Sequence, residues 1–277
     1  FDRRIWVLRP FLDVRRQAIR DMLDRRRIGW IDDPSNVDRR FERVRVRLEG
    51  SPPPPASPDD RAANRRRLSD AAAEIVSGFA TVHAGCLIRL SPETKNAPPE
   101  VLRHALATLI AIAGGRPHRP GAGALDRLMR LVATEAAGRT TLSGALIQCR
   151  RDGIFLLREN RDVLPRPLAP HQTLIWDGRF SVTNRTDEER IAEPGRAPVP
   201  APPDVLLTPA IRRHIGFILP EIRRHGNVKE HAPAPAGAVV IEPAFPLFDR
   251  FLSDTDLALA DSIARLFGRK AYLPPPA

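Results

Sequence analysis

Cysteine is nearly missing from this chain: Cys86 and Cys149 are the only two in 277 residues. Two distant thiols make neither a disulfide framework nor a zinc site, and a reducing cytoplasm suits them best. Lysine is almost as scarce. Of 44 basic residues only Lys95, Lys229 and Lys270 are not arginine. No apolar run has the length of a membrane span, and no signal peptide is visible. The glycine-rich loops that cradle phosphates are missing too: there is no Ser-Gly-Gly-x-Asp-Ser and no glycine loop ending in Lys and Ser or Thr. His83, His104, His118, His171, His214, His225 and His231 are scattered without metal-ligand spacing, so no metal site is expected. His104 reads as a structural histidine within a helix. Ser143-Gly144 falls in a strand pattern and is no nucleophile elbow.

What is present is a hydrophobic fraction of 42%, enough for a real core, and a net charge of +11 with a pI of about 11.1. That balance suggests a polyanionic partner, most simply nucleic acid. The arginine skew, with 29 prolines, equally fits codon bias in a GC-rich genome. Arginine is nevertheless the better phosphate ligand, because its planar fork bonds two oxygens at once.

Residues 4–12 read as a short strand. Asp13 then caps a helix carrying Val14, Ala18, Met22 and Leu23, which Gly29 stops. A strand followed by an amphipathic helix is what stands at the end of an α/β domain. Residues 30–37 form a turn-rich loop, and Asp38 caps a second helix, 39–48. There Phe41, Val44 and Leu48 make one stripe and Arg40, Arg43 and Arg47 a neighbouring face. Residues 50–58 are a proline-rich linker. Beyond it the spacing predicts a long helix from 59 to 83, then helices 100–113 and 123–134. Residues 140–159 read as a hairpin, and Asp177-Gly178 turns a second one at 173–183. From 186 to 277 the chain is punctuated by proline, with a last helix at 254–267. The fold class is α+β, divided at 1–49, 50–58, 59–185 and 186–277.

Two constellations carry chemistry. In the turn Asp32-Asp33-Pro34-Ser35-Asn36, the polar side chains suit a tight connection between helices. The other reading makes Asp33 and Asn36 the rim of an active site. The arginine face of helix 39–48, Arg40, Arg43, Arg45 and Arg47, grips successive phosphates or is a solvated face paired with Asp38 and Glu42. Trp6, Trp30 and Trp176 read mostly as core or boundary; Trp30 is also placed to stack on a base beside the arginine helix.

In order and spacing, Arg9-Pro10-x-Leu12, a helix, Trp30-x-x-Asp33-x-Ser35-Asn36, Phe41, then Arg43 and Arg47 resembles tRNA(Ile)-lysidine synthetases. In that family this segment follows an ATP-pyrophosphatase (PP-loop, Rossmann-like) core. The likeness continues more weakly through helix 100–113 and Thr141–Gly144 to Leu157-Arg158-Glu159. Val44 stands where the family often has Asn. The resemblance implies that residues 1–49 end such a core, whose amino-terminal part precedes Phe1, and that 59–185 is a helical tRNA-binding domain with a small hairpin sheet. It implies a two-step ligation. ATP, with Mg²⁺, adenylates C2 of the wobble cytidine of tRNA(Ile) with a CAU anticodon, and free lysine then displaces AMP. The chain would hold the tRNA-facing part, bind no nucleotide cofactor itself and be inactive alone. A non-catalytic RNA-binding module is the alternative.

Overall fold

The computed structural model describes residues 5–8, 11, 14–48, 58–134, 137–200, 207–224 and 237–276, apart from the side chains at 43, 47, 58 and 59. The chain divides into two compact units, Trp6–Arg65 and the remainder, Phe1–Ile5 with Arg66–Ala277.

The first unit holds α1 (Arg16–Arg25), a 3-10 turn at Pro34–Asn36 and α2 (Glu42–Leu48). No strand forms at 5–8; Arg9, Pro10, Leu12 and Asp13 lie outside the described residues. Arg15 stands at the N-cap of α1 without a side-chain cap. The helix stops at Arg25, four positions before Gly29. Arg27 takes a left-handed φ of 54°. Its N–H bonds the Asp24 carbonyl at 2.9 Å, and the Ile28 N–H reaches the Leu23 carbonyl at 2.9 Å. This pair of bonds satisfies the last carbonyls, so the left-handed cap falls on arginine rather than glycine. Helix α2 begins at Glu42, not 39, because Asp38 instead accepts the Arg40 N–H at 2.9 Å and holds a separate turn.

In the second unit, α3 (Pro58–Phe79) ends before 83, and residues 80–83 turn into a strand. Val82 continues the helical stripe in sequence, but Ala84 and Gly85 (φ 49° and 64°) turn the chain back on itself. The result is β1 (Ala80–His83) paired with β2 (Leu87–Leu90). Helices α4 (Pro99–Ala113) and α5 (Ala122–Ala133) lie where the apolar period puts them. The 140–159 region is a meander rather than a single hairpin: β3 (Gly138–Leu142), β4 (Ala145–Arg150) and β5 (Gly153–Arg158). Ser143-Gly144 is its first turn, with φ of 50° and 77°, not strand.

These strands form one antiparallel sheet in the order β1-β2-β5-β4-β3. Its central strand β5, Gly-Ile-Phe-Leu-Leu-Arg, is buried along its whole length. Period two explains the unbroken apolar run. Ile154 and Leu156 enter one core with α3, α4 and α5, while Phe155 and Leu157 enter a second core on the other face. That second core is closed by β6 (Arg166–Leu168), β7 (Thr173–Trp176), β8 (Phe180–Asn184), β9 (Arg190–Pro194) and α6 (Pro209–Ile218). Two further antiparallel sheets complete it, β10-β9-β6 and β11-β8-β7, with β10 at Pro220–Arg224 and β11 at Val239–Pro243. The sequence places the end of the helical domain at 185. After it, α7 (Pro246–Asp249) and α8 (Leu257–Leu266) return Phe248, Leu259, Ala260, Ile263 and Ala264 to the first core.

The two cores meet at a buried polar centre. Asp177 receives Arg158 Nε at 3.2 Å and Arg179 Nε at 2.8 Å. Arg158 also donates to the carbonyls of Gly144 at 3.1 Å and Arg161 at 2.9 Å, and Arg179 to that of Ile218. A Cβ at Gly178 would stand 2.2 Å from the Gly115 carbonyl oxygen, so the end of α4 rests directly on the β7–β8 turn.

Candidate nucleic-acid interface

The loop between α1 and α2 is built by its own polar side chains. Asp33 stands at the N-cap of the 3-10 turn, accepting the Ser35 N–H at 2.8 Å, while Pro34 fixes the first turn position. Asn36 closes that turn through its N–H to the Asp33 carbonyl at 2.9 Å and is half-buried. The arginine pairing goes to the neighbouring acid. Asp32 accepts Arg16 Nη2 at 2.7 Å and also Arg20. Arg20 in turn lies over the Trp30 ring, 5.6 Å from its centroid. Sequence reasoning took the Asp33 position as the one of interest. The signal for Asp32 was the arginine pair at 16 and 20, one helical turn apart on α1.

Of the four arginines expected to face RNA, Arg40 precedes α2 instead of sitting on it. Its Nε donates to Asp38 at 2.8 Å; this contact raises the Arg40 guanidinium pKa and holds the Asp38 carboxyl below its ordinary value. Arg40 is exposed and Asp38 half-buried, so the pairing is screened by solvent. Arg45 bends back to donate to the carbonyls of Arg39 and Arg40, each at 3.1 Å, and so fixes the entry to the helix. The backbones of Arg43 and Arg47 lie in α2, one turn apart; their side chains lie outside the described ones. Val44, the departure from the family pattern, is buried.

The second unit carries a groove of about 730 Å³ that sequence reasoning missed. The end of β9 and the segment after it, Glu193–Arg196, line one side; Arg213, His214 and Phe217 of α6 line another. Thr208 caps α6 by accepting the Ile211 N–H at 3.3 Å. His214 Nε2 lies 2.6 Å from the Arg158 carbonyl oxygen, which can only accept, so Nε2 carries the hydrogen. Burial pushes the His214 pKa down, keeping the ring neutral. The sequence signal was Arg213 and Phe217 at i and i+4 on one helix face, hidden among the prolines of the tail.

Among the described residues, the acids of the turn at 32–36 are already engaged by protein groups. Among the described residues no group of three His, Cys, Asp or Glu is placed to hold a metal ion. Asp32 is bound by arginine and Asp33 by backbone, and the sequence has no phosphate-cradling loop. Among the described residues no helix is long and apolar enough to cross a membrane.

The class of the amino-terminal segment follows from comparison. Residues 2–52 match the PP-loop domain family. Over its whole length the chain is 34% identical, across 281 residues, to a tRNA(Ile)-lysidine synthase of Rhizobium meliloti, covering 61% of that protein. It is 33% identical over 97% of its length to the synthase of Mesorhizobium japonicum, covering 62% of it. With that of Brucella melitensis biotype 2 it shares 34% identity over 95% of the chain and 63% of the relative. No solved structure matches. The chain is thus similar along its whole length to tRNA(Ile)-lysidine synthases and spans about three fifths of the length of these relatives.

Proposed function

We propose that this chain is the tRNA-facing part of an enzyme that ligates lysine to C2 of the wobble cytidine of tRNA(Ile) with a CAU anticodon, by way of an adenylated tRNA. The observation that carries this reading is the 34% identity running through the whole chain, from the PP-loop match at 2–52 to the last helix. The charge of +11 supports a polyanionic substrate.

We assign Arg40, Arg43, Arg45 and Arg47 to tRNA backbone contacts, and Asp33 and Asn36 to the rim of the site where free lysine attacks. Arg45 would act by shaping the entry to α2 as well as by charge, since its guanidinium spans two carbonyls there. The sequence carries no glycine loop to cradle ATP phosphates and Mg²⁺. We therefore assign them to the portion of a PP-loop domain that bears the phosphate loop, and residues 1–49 to the carboxy-terminal part of such a domain. A cytoplasmic setting follows from a tRNA substrate.

The test is reconstitution. The 277 residues are combined with a phosphate-loop-bearing PP-loop domain from the Rhizobium meliloti relative, fused or added separately, and radiolabelled lysine incorporation into tRNA(Ile) is followed. Incorporation that needs both parts supports the reading. A chain that binds tRNA yet adds nothing to any such domain is a non-catalytic RNA-binding module.

A further inference from the structure

The groove beside α6 has a chemistry that packing does not require. Ile215 and Ile218, on the inner face of the helix, are fully buried, yet Phe217 between them is 36% exposed and lines the groove. Pro165 and Pro194 add apolar surface opposite polar groups. Two arginines flank this surface. Arg196 keeps 67% of its side chain exposed, and among the described residues no carboxylate pairs with Arg213. Two acids stand near Arg196: Glu193, 3.7 Å from its Nη2, and Glu221, which accepts the Arg196 N–H at 3.2 Å; both also pair with Arg223, at 2.7 Å and 3.0 Å. The walls are closely packed. A Cβ at Gly216 would meet the Ala197 carbonyl oxygen at 1.9 Å, and Arg212 Nε donates to the Val199 carbonyl at 2.8 Å, so α6 is locked onto the segment that forms the other side.

We propose that this groove takes one unstacked nucleotide of a bound RNA, its base against the Phe217 ring and its phosphate on Arg196 and Arg213. The inference rests on the RNA-binding reading above and adds a site that reading does not contain. A volume of about 730 Å³ suits a nucleotide-sized ligand. Every base has a π-face, so an exposed aromatic beside cations holds single strands with little regard to sequence. The arginine forks match phosphate oxygens, and the neutral His214 ring, its Nε2–H spent on the Arg158 carbonyl, keeps Nδ1 as an acceptor for a base amine.

The experiment uses the full chain and two probes, a fluorescent single-stranded RNA hexamer and a blunt RNA duplex, with thermal melts of every variant. Phe217→Ala is expected to weaken hexamer binding about tenfold, Phe217→Trp to retain it, and neither to change duplex binding as much as twofold. Should Phe217→Ala fail to fold, Arg213→Ala is expected to cost the hexamer about fivefold. In the wild type, a 4-thiouridine hexamer is expected to cross-link to peptides within 190–224. Unchanged hexamer affinity in the folded variants, or cross-links confined to 30–48, overturns the inference while leaving salt-dependent tRNA binding, and hence the broader reading, in place. A wild-type chain that binds hexamer, duplex and tRNA no better than an uncharged control overturns both.

Discussion

Arg158 Nε lies 3.2 Å from each carboxylate oxygen of Asp177, and the two side chains are only 5% and 6% exposed. Arg179 shares the same carboxylate, so one buried anion holds two buried cations at the junction of the two cores. Burial pushes the Arg179 pKa down, and the Asp177 carboxylate opposes that shift. Removing the anion strands both guanidiniums. Asp177→Asn keeps the left-handed turn, since Asn tolerates φ near the 49° seen there, and deletes only the charge. We expect it to lose about 3–5 kcal/mol of unfolding free energy in urea. A loss under about 1 kcal/mol would show that the arginines are satisfied by their carbonyl partners alone.

Asp256 gives a pH signature. Burial by itself would raise its carboxyl, but His104 and Arg119, whose Nη2 is 3.1 Å away, outweigh burial and hold it below the ordinary carboxylate range. The unfolded chain takes up this proton near pH 4, the native chain only at lower pH. The contribution is therefore complete above about pH 4 and fades as pH falls through the native value. Asp256→Asn should cost about 1–3 kcal/mol at pH 7 and progressively less below pH 4. Melts of both proteins at pH 7 and pH 3 check this; an equal gap at the two values counts against it.

Ile263 in α8 is fully buried in the core built by α3, α4 and the central sheet. Ile263→Ala should lower stability by about 2–5 kcal/mol, read from chemical denaturation. A change of a few tenths would mean that the last helix is only loosely applied.

Asp33 can be tested against its own structural role. Its carboxylate caps a 3-10 turn, a duty that Asn performs equally well. Asp33→Asn in a reconstituted enzyme should therefore keep the melting temperature yet slow lysidine formation by about 10²–10³, if the charge acts on the transition state. Asp33→Ala should also lose about 0.5–2 kcal/mol of stability. Normal turnover in Asp33→Asn would reduce Asp33 to a turn residue.

Much of this fold was legible in the sequence because apolar spacing was unambiguous. The stripe of Val101, Leu102, Ala105, Leu106, Leu109 and Ile110 gave α4, and Asp177-Gly178 gave a hairpin. Strand β1 was hidden because Val82 extends the apolar stripe of α3. The central position of β5 was hidden because a run such as Ile-Phe-Leu-Leu says that both faces are covered, without saying by what. The sharing of one interior by Arg158, Asp177 and Arg179 was not legible, since nothing local reveals that charged residues spread over 21 positions will meet there. The prolines of the tail suggested irregular chain, where they in fact open α6 and α7 at first-turn positions. Of the interface, residue types and order were legible around 30–47. The groove was not, because it is assembled from segments some fifty residues apart.

The central claim is that this chain grips tRNA through its arginines, and the most direct measurement is tRNA affinity of the 277-residue chain as a function of salt. The logarithm of the association constant should fall linearly with the logarithm of salt concentration. Arg43→Ala with Arg47→Ala should weaken binding by about 1–3 kcal/mol and reduce that slope by about two, one per lost phosphate contact. A folded double variant with the wild-type affinity and slope, or a wild-type chain that does not bind tRNA at low salt, would contradict the claim.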